Sequence, residues 1–300
     1  VDGALTMRGS SITADTLTAA GDFTLSGTNT ISTPNGAVVT GNVDLAEGVS
    51  LDVNRGKLTA ANVTVDSGAK LQVADGLTAN QDVMVNSGAE FSVKGGLNVG
   101  GTLTLGTAGS DTNTSNFSVG KLKVGTELVF VGNGYSSDSA YMFDTLVSAL
   151  KSESTYNVSL KKANVEYASW LQNVGTTTLD QAHLTLSYDN VASLGHVVMT
   201  NTSPGSEKSQ NLLTLKSDSG FVIGNRFSVE GSAADVIELS GTGKVTFANN
   251  AFAGDNYKGW IRMTGTTVDL ADALNSDPGL SLSVGRGGTI VYDESVARIV

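Results

Sequence analysis

Residues 41–60, 61–80 and 81–100 align without a gap at a period of 20. They read GNVDLAEGVSLDVNRGKLTA, ANVTVDSGAKLQVADGLTAN and QDVMVNSGAEFSVKGGLNVG. Val43, Val63, Val83 and Leu103 share one column, and Leu45, Val65, Val85 and Leu105 the next. Gly48, Gly68 and Gly88 follow, then Leu51, Leu71 and Phe91, then Val53, Val73 and Val93, and Gly56, Gly76 and Gly96 close the unit. Self-similarity at a period of about 20–50 residues marks one structural unit stacked on copies of itself. Within the unit, Val43 and Leu45 alternate with polar neighbours, as do Leu51 and Val53. Period two is the pattern of a strand, and helical spacing is missing. Glycine supplies the positive φ of tight turns between such short strands. A coil of about 20 residues cannot bury its apolar side alone, but coils stacked at about 4.8 Å can. The expected fold is all-β, a parallel β-helix whose Val/Leu columns become ladders inside the coil. Leucine-rich repeats are of similar length, but their Asn/Cys column and helical half are missing here.

The pattern runs backwards from residue 43. Phe23, Leu25, Ile31, Gly36 and Val38 sit 20 residues before Val43, Leu45, Leu51, Gly56 and Leu58, which predicts that they stack on them. In the second half Leu213, Ile237 and Ile261 recur at 24, as do Leu215, Leu239 and Met263, and Ile223 with Phe247. Coils there should be larger and of the same kind. On the outside, Lys70 and Glu90, Arg55 and Asp75, and Glu238 and Arg262 lie one coil apart with opposite sign. Each exposed pair contributes only about 0–1 kcal/mol, so its value is as evidence of register. Thr59, Thr78 and Asn98 form a polar ladder on the third strand and are candidate binding residues.

Two stretches depart from the pattern. Residues 107–116, TAGSDTNTSN, form a polar insertion between Leu105 and Phe117. Residues 132–175 form a longer break. This divides the chain into regular coils over 1–131, an insertion over 132–175, and larger coils over 176–300. In the insertion, a helix is expected from Ser139 to Lys151, with Phe143, Leu146, Val147 and Leu150 on one face. Tyr135, Tyr141, Tyr156, Tyr167 and Trp170 gather in the same stretch. Grouped aromatic residues suit a binding site, and they equally suit a helix packed across the coil with rings filling the gap. Pro34, Pro204 and Pro278 lie in turn sequences.

Composition narrows the function. The chain has no cysteine, so disulfides, thiolate metal sites and thiol nucleophiles are excluded. Its net charge of −11 disfavours phosphate backbones, and no nucleic-acid partner is expected. No apolar run of about 18 residues could form a membrane-spanning helix. Only 16% of residues are charged, so Thr, Ser and Asn must keep the surface wet.

A polysaccharide-cleaving β-helix, lyase or glycosidase, needs paired carboxylates or acidic residues gathered around calcium. At a period of 20, Asp52 falls between Ser32 and Gln72, and Asp44 is followed by Thr64 and Met84, so the regular coils do not stack carboxylates, which leaves a pair brought together by the loops as the enzyme alternative. His183 and His196, 13 apart, lack the spacing of a zinc protease and are expected in strands or turns. Ser219 stands in a turn-like Asp-Ser-Gly. No catalytic, cofactor or metal residue is assigned.

The C-terminal stretch carries a family resemblance. Asn256-Tyr257-Lys258-Gly259-Trp260-Ile261 precedes Thr267-Val268-Asp269-Leu270, then Leu280-Ser281-Leu282-Ser283-Val284-Gly285 and Gly287-Gly288-Thr289-Ile290. Over about 40 residues this resembles the late passenger region of self-associating and adhesive autotransporters of Gram-negative bacteria. There a Y-x-G-W turn precedes strands ending in L-x-L-G-x-G-G, and Val284 is a departure from that pattern. The resemblance implies a right-handed β-helix displayed at the bacterial cell surface by a C-terminal outer-membrane barrel, which is not in this chain. It also implies a non-catalytic module for aggregation, biofilm formation or attachment. Its partner would be a second copy of itself, a host or matrix protein, or a glycan. No functional residue transfers from it.

Overall fold

Each coil of the first half turns three times because three short apolar-polar alternations are separated by turns. The computed structural model describes residues 1–110, 116–133, 141–142, 155–167, 172–187, 194–201, 210–216, 218, 221–223, 228–241, 243–247, 258–264, 267–269, 289–292 and 298–299. The strands stack in parallel sheets as a β-solenoid, and no α-helix occurs among the described residues. The chain folds as two units, residues 1–131 with 145–156, and residues 132–144 with 157–300.

In the first unit, the first face stacks Leu5–Arg8, Phe23–Ser26, Val43–Leu45, Val63–Val65, Val83–Val85, Thr102–Gly106 and Glu127–Val131. The second face stacks Ser11–Thr13, Thr28–Ser32, Ser50–Arg55 and Lys70–Val73. The third stacks Leu17–Ala19, Ala37–Val39, Lys57–Ala60 and Gly76–Ala79. The long strands Glu90–Val99 and Asn116–Val124 run through both the second and third faces. Val43, Val63, Val83 and Leu103 pair in one register column and are at most 1% exposed. Burying each such aliphatic side chain contributes roughly 1.5–3 kcal/mol, repeated rung after rung. Leu51, Leu71 and Phe91 stack as expected, and Phe91 lies parallel to Phe117 with ring centroids 5.0 Å apart. The polar insertion over 107–116 therefore lengthens one coil without breaking the inner column. Gly48, Gly68 and Gly88 all have φ between 73° and 80°, the left-handed conformation that their column requires.

The backward extension holds on the first face and slips on the other two. Phe23 pairs with Val43, as predicted. Ile31, however, sits against Val53 rather than Leu51, and Ala37 rather than Val38 sits against Leu58. The cause is corner length. Leu25 to Asn29 spans four residues, where Leu45 to Leu51 spans six, and later corners return the difference. The slip turns Asn29 inward opposite Leu51, with no exposed surface. Its amide is satisfied there by donating to the carbonyls of Ser26 at 3.1 Å, Gly27 at 3.2 Å and Ser50 at 3.4 Å. It also places Asp52 beside Thr30, not Ser32.

In the second unit, one sheet stacks Asn164–Tyr167, His183–Leu186, Leu212–Lys216, Val236–Ser240, Trp260–Thr264 and Thr289–Tyr292. A second contains Val174–Asp180, His196–Thr200 and Ser228–Glu230. A third contains Phe221–Ile223, Lys244–Phe247, Thr267–Asp269 and Arg298–Ile299. The period of 24 holds from Leu213 to Ile237 to Ile261 and from Ile223 to Phe247.

Of the stretch read as a helix, Tyr141–Met142 is described, and it is a strand paired with Val165–Glu166. The other residues of that stretch lie outside the described residues. Tyr156–Lys161 and Asn164–Tyr167 are rungs of the sheets, so the segment expected to interrupt the coils contributes to them. Residues 111–115, Pro204, Ser219, Pro278 and the region 270–288 also lie outside the described residues.

Candidate functional site

The lateral faces are built by the outward half of each alternation. On the third face, Thr18, Val38, Thr59, Thr78, Asn98 and Lys123 form one outward column in register. Thr59, Thr78 and Asn98, the predicted ladder, are thus brought together on three successive rungs. On the first face the outward column runs Thr6, Thr24, Asp44, Thr64, Met84 and Thr104. Among the described residues the exposed large apolar side chains are Val1, Val38, Met84 and Trp260.

Two of the predicted charge columns form ion pairs. Lys70 Nζ lies 2.7 Å from Glu90 Oε1, and Arg262 Nε donates to Glu238 Oε2 at 2.8 Å. The third does not: Asp75 Oδ2 accepts the Gly56 N–H at 2.7 Å instead of meeting Arg55. The reason is the same corner bookkeeping, because Gly76 stands against Lys57 and not against Gly56.

A further lateral feature was not singled out in the sequence. Asp22, Asn42, Asn62 and Asp82 occupy one corner of successive coils. Asp22 Oδ1 accepts the Asn42 N–H at 2.8 Å, and Asn62 Nδ2 donates to Asn42 Oδ1 at 2.9 Å. Asn62 Oδ1 then accepts the Asp82 N–H at 3.0 Å, and Asp82 Oδ1 accepts the Thr102 N–H at 2.8 Å. The residues recur every 20, so the period that revealed the core also marked this column. Such corner ladders hold polar side chains in fixed positions along the outside, so ordering them on contact costs little conformational entropy.

The aromatic candidates separate. Tyr156 and Tyr167 are 1% and 0% exposed and point into the coil, so they fill its core. Burial pushes the Tyr156 phenol pKa upward, and its hydroxyl has no partner among the described residues. Tyr141 lies on a strand at the start of its sheet. Tyr135 and Trp170 lie outside the described residues.

His183 and His196 both lie in strands. His196 Nε2 is 3.3 Å from Glu230 Oε1. His183 is 7% exposed, and burial, with the positive charge of Arg262, lowers its pKa to about 3. Above pH 6.5 the imidazole is neutral in both folded and unfolded chains. As pH falls below 6.5 the unfolded chain takes up the proton first, so stability is lost progressively down to about pH 3. The slope is about 1.4 kcal/mol per pH unit. Urea melts at pH 7 and pH 5 should therefore show the wild type losing about 2 kcal/mol more than His183→Gln. Equal losses would mean that His183 is not held neutral.

Among the described residues, the two carboxylates of the regular coils weighed in the sequence have no acidic neighbour in register. Asp44 lies between Thr24 and Thr64, and Asp52 between Thr30 and Gln72. Among the described residues, no group of three or more His, Asp or Glu side chains is placed to hold a metal ion. Comparison with protein-family models found no match, and comparisons with curated proteins and with solved structures found none either.

Proposed function

We propose that this chain is a non-catalytic adhesion or self-association module of an autotransporter passenger, displayed at the bacterial surface and binding through its lateral polar faces. The observation that carries this reading is the continuity of the outward columns. Thr59, Thr78 and Asn98 stand on consecutive rungs, each with hydrogen-bonding capacity directed outward. A single hydrogen bond contributes a net of only about 0.5–1.5 kcal/mol. Repetition at strand spacing, and many copies on a cell, convert such weak contacts into adhesion. Self-association is favoured as the binding mode because two copies of one face share a spacing and present both donors and acceptors. Display through an outer-membrane barrel is part of this proposal, and it rests on the resemblance carried by the sequence Tyr257-Lys258-Gly259-Trp260.

The test is aggregation of beads coated with the purified protein. In the variant Thr59→Glu with Asn98→Glu, the two charges sit two rungs apart, with Thr78 between them. That spacing is about 10 Å, near the screening length at physiological salt, so repulsion within one coil stack is small. Between two copies, the face becomes self-repelling. Aggregation should fall at least about tenfold, a change of about 1.4 kcal/mol summed over the contact, while the β-sheet circular dichroism is unchanged. Aggregation equal to wild type, with the fold intact, would remove this face from the reading.

A further inference from the structure

We infer that the second unit carries a binding site for a single neutral pyranose sugar, on the outer side of its longest sheet. The inference stands independently of whether the lateral faces of the first unit associate.

Leu212–Lys216, Val236–Ser240 and Trp260–Thr264 are consecutive rungs of that sheet. Leu213, Ile237 and Ile261 point inward at 0%, 0% and 2% exposure, so Val236 and Trp260 point outward as neighbours. A cavity of about 300 Å³ opens there, lined by Gln210, Val236, Trp260 and Arg262. That volume is at the lower end of the roughly 300–1,000 Å³ of small-ligand sites, which suits one ring and not an oligosaccharide.

The lining is fixed and chemically mixed. Trp260 is 42% exposed, the only tryptophan or tyrosine among the exposed large hydrophobic residues described, and its indole N–H donates to the Ala233 carbonyl at 3.1 Å. That bond sets the ring plane while leaving part of the ring open to the cavity. Gln210 Nε2 donates to the Ala234 carbonyl at 2.6 Å, which orients the amide as the next wall. Arg262 is oriented by its pair with Glu238. Val236, 7% exposed, provides an apolar surface. A pyranose offers the complementary surface: an apolar C–H face for the indole, and an edge of hydroxyls that both donate and accept. The Arg262 charge is already matched by Glu238, so the described lining residues provide no net charge to attract an acidic sugar. The net charge of −11 opposes one further.

The chain has two tryptophans, so the Trp260 indole N–H resonance is assigned by comparison with Trp170→Phe. The full chain would be titrated with methyl glycosides of glucose, galactose and mannose, each to about 100 mM. N-acetylneuraminic acid and N-acetyltyrosinamide serve as anionic and aromatic-peptide comparators. The expected result is a saturable shift of the Trp260 resonance with at least one neutral glycoside, in the millimolar range usual for small weak ligands. Gln210→Ala, which leaves the indole in place, should weaken that binding by about tenfold. Trp260→Leu should abolish it, as read by saturation transfer to the glycoside. Should Trp260→Leu fail to fold, Gln210→Ala decides. No shift with any neutral glycoside would overturn the inference. So would a response to the tyrosine amide or the acidic sugar alone, or an affinity unchanged in Gln210→Ala.

Discussion

Leu71→Asp should lose at least about 4 kcal/mol of stability at pH 7, the largest effect expected of any single change discussed. Leu71 has no exposed surface and lies between Leu51 and Phe91 on the second face. Removing the leucine forfeits roughly 1.5–3 kcal/mol of burial. Asp then enters an apolar column where no partner is available, so it must take up a proton or disrupt the coil, at a further cost of a few kcal/mol. A proton held by the folded chain raises the folded pKa above the unfolded value of about 3.9. The deficit should therefore shrink as pH is lowered from 7 towards 4, relative to Leu71→Asn, which cannot titrate. Denaturant melts at the two pH values measure both terms. A melting transition equal to wild type would place Leu71 outside the core.

Gly56→Ala should be the next most damaging, and Gly48→Ala the informative control. Both glycines adopt positive φ, 88° and 73°. A Cβ at Gly48 meets nothing within 4 Å, so only the left-handed backbone is penalised, by about 1–2 kcal/mol. A Cβ at Gly56 would lie 1.8 Å from the Thr33 carbonyl oxygen. That carbonyl closes the turn by accepting the Gly36 N–H at 2.8 Å, and it cannot swing away freely. Displacing it adds the roughly 1–3 kcal/mol of overpacking to the backbone term. Thermal melts should rank Gly56→Ala below Gly48→Ala by several degrees, and equal melting temperatures would refute the close approach.

The inner columns from Val43 to Leu103 were legible because each apolar residue there repeats at the period of the whole coil. The same rule misplaced Ile31, since a corner shortened before Asn29 slides the strands after it until later corners return the difference, leaving the period of 20 intact. Asn29 also broke the polar-out rule: it reads as a surface residue, and only its three carbonyl partners make it an interior one. In the break over 132–175, aromatic residues obscured the alternation. Asn164–Tyr167 is a strand whose two inward residues are Val165 and Tyr167, too short a run to stand out from sequence alone. The Asp22–Asp82 corner follows the period and was legible in principle, but Asp and Asn at turn positions are common enough that the column alone does not announce a side-chain ladder. The cavity at Trp260 was not legible, because Gln210 reaches it from one coil before Val236 and carries no motif.

The sliding register has an implication for how such a surface diversifies. Because a residue lost at one corner can be restored at another, the three faces of the regular coils are separable variables under a coil length of 20 residues. A paired deletion and insertion would leave the inner columns closed while shifting one outer column past its neighbour. Asp52 already has Thr30 beside it in place of the Ser32 that strict periodicity assigns. Lineages of such a chain could therefore reshuffle the pattern presented to the outside as a combination lock does, by turning one ring at a time, with little change in amino-acid composition and none in the number of rungs.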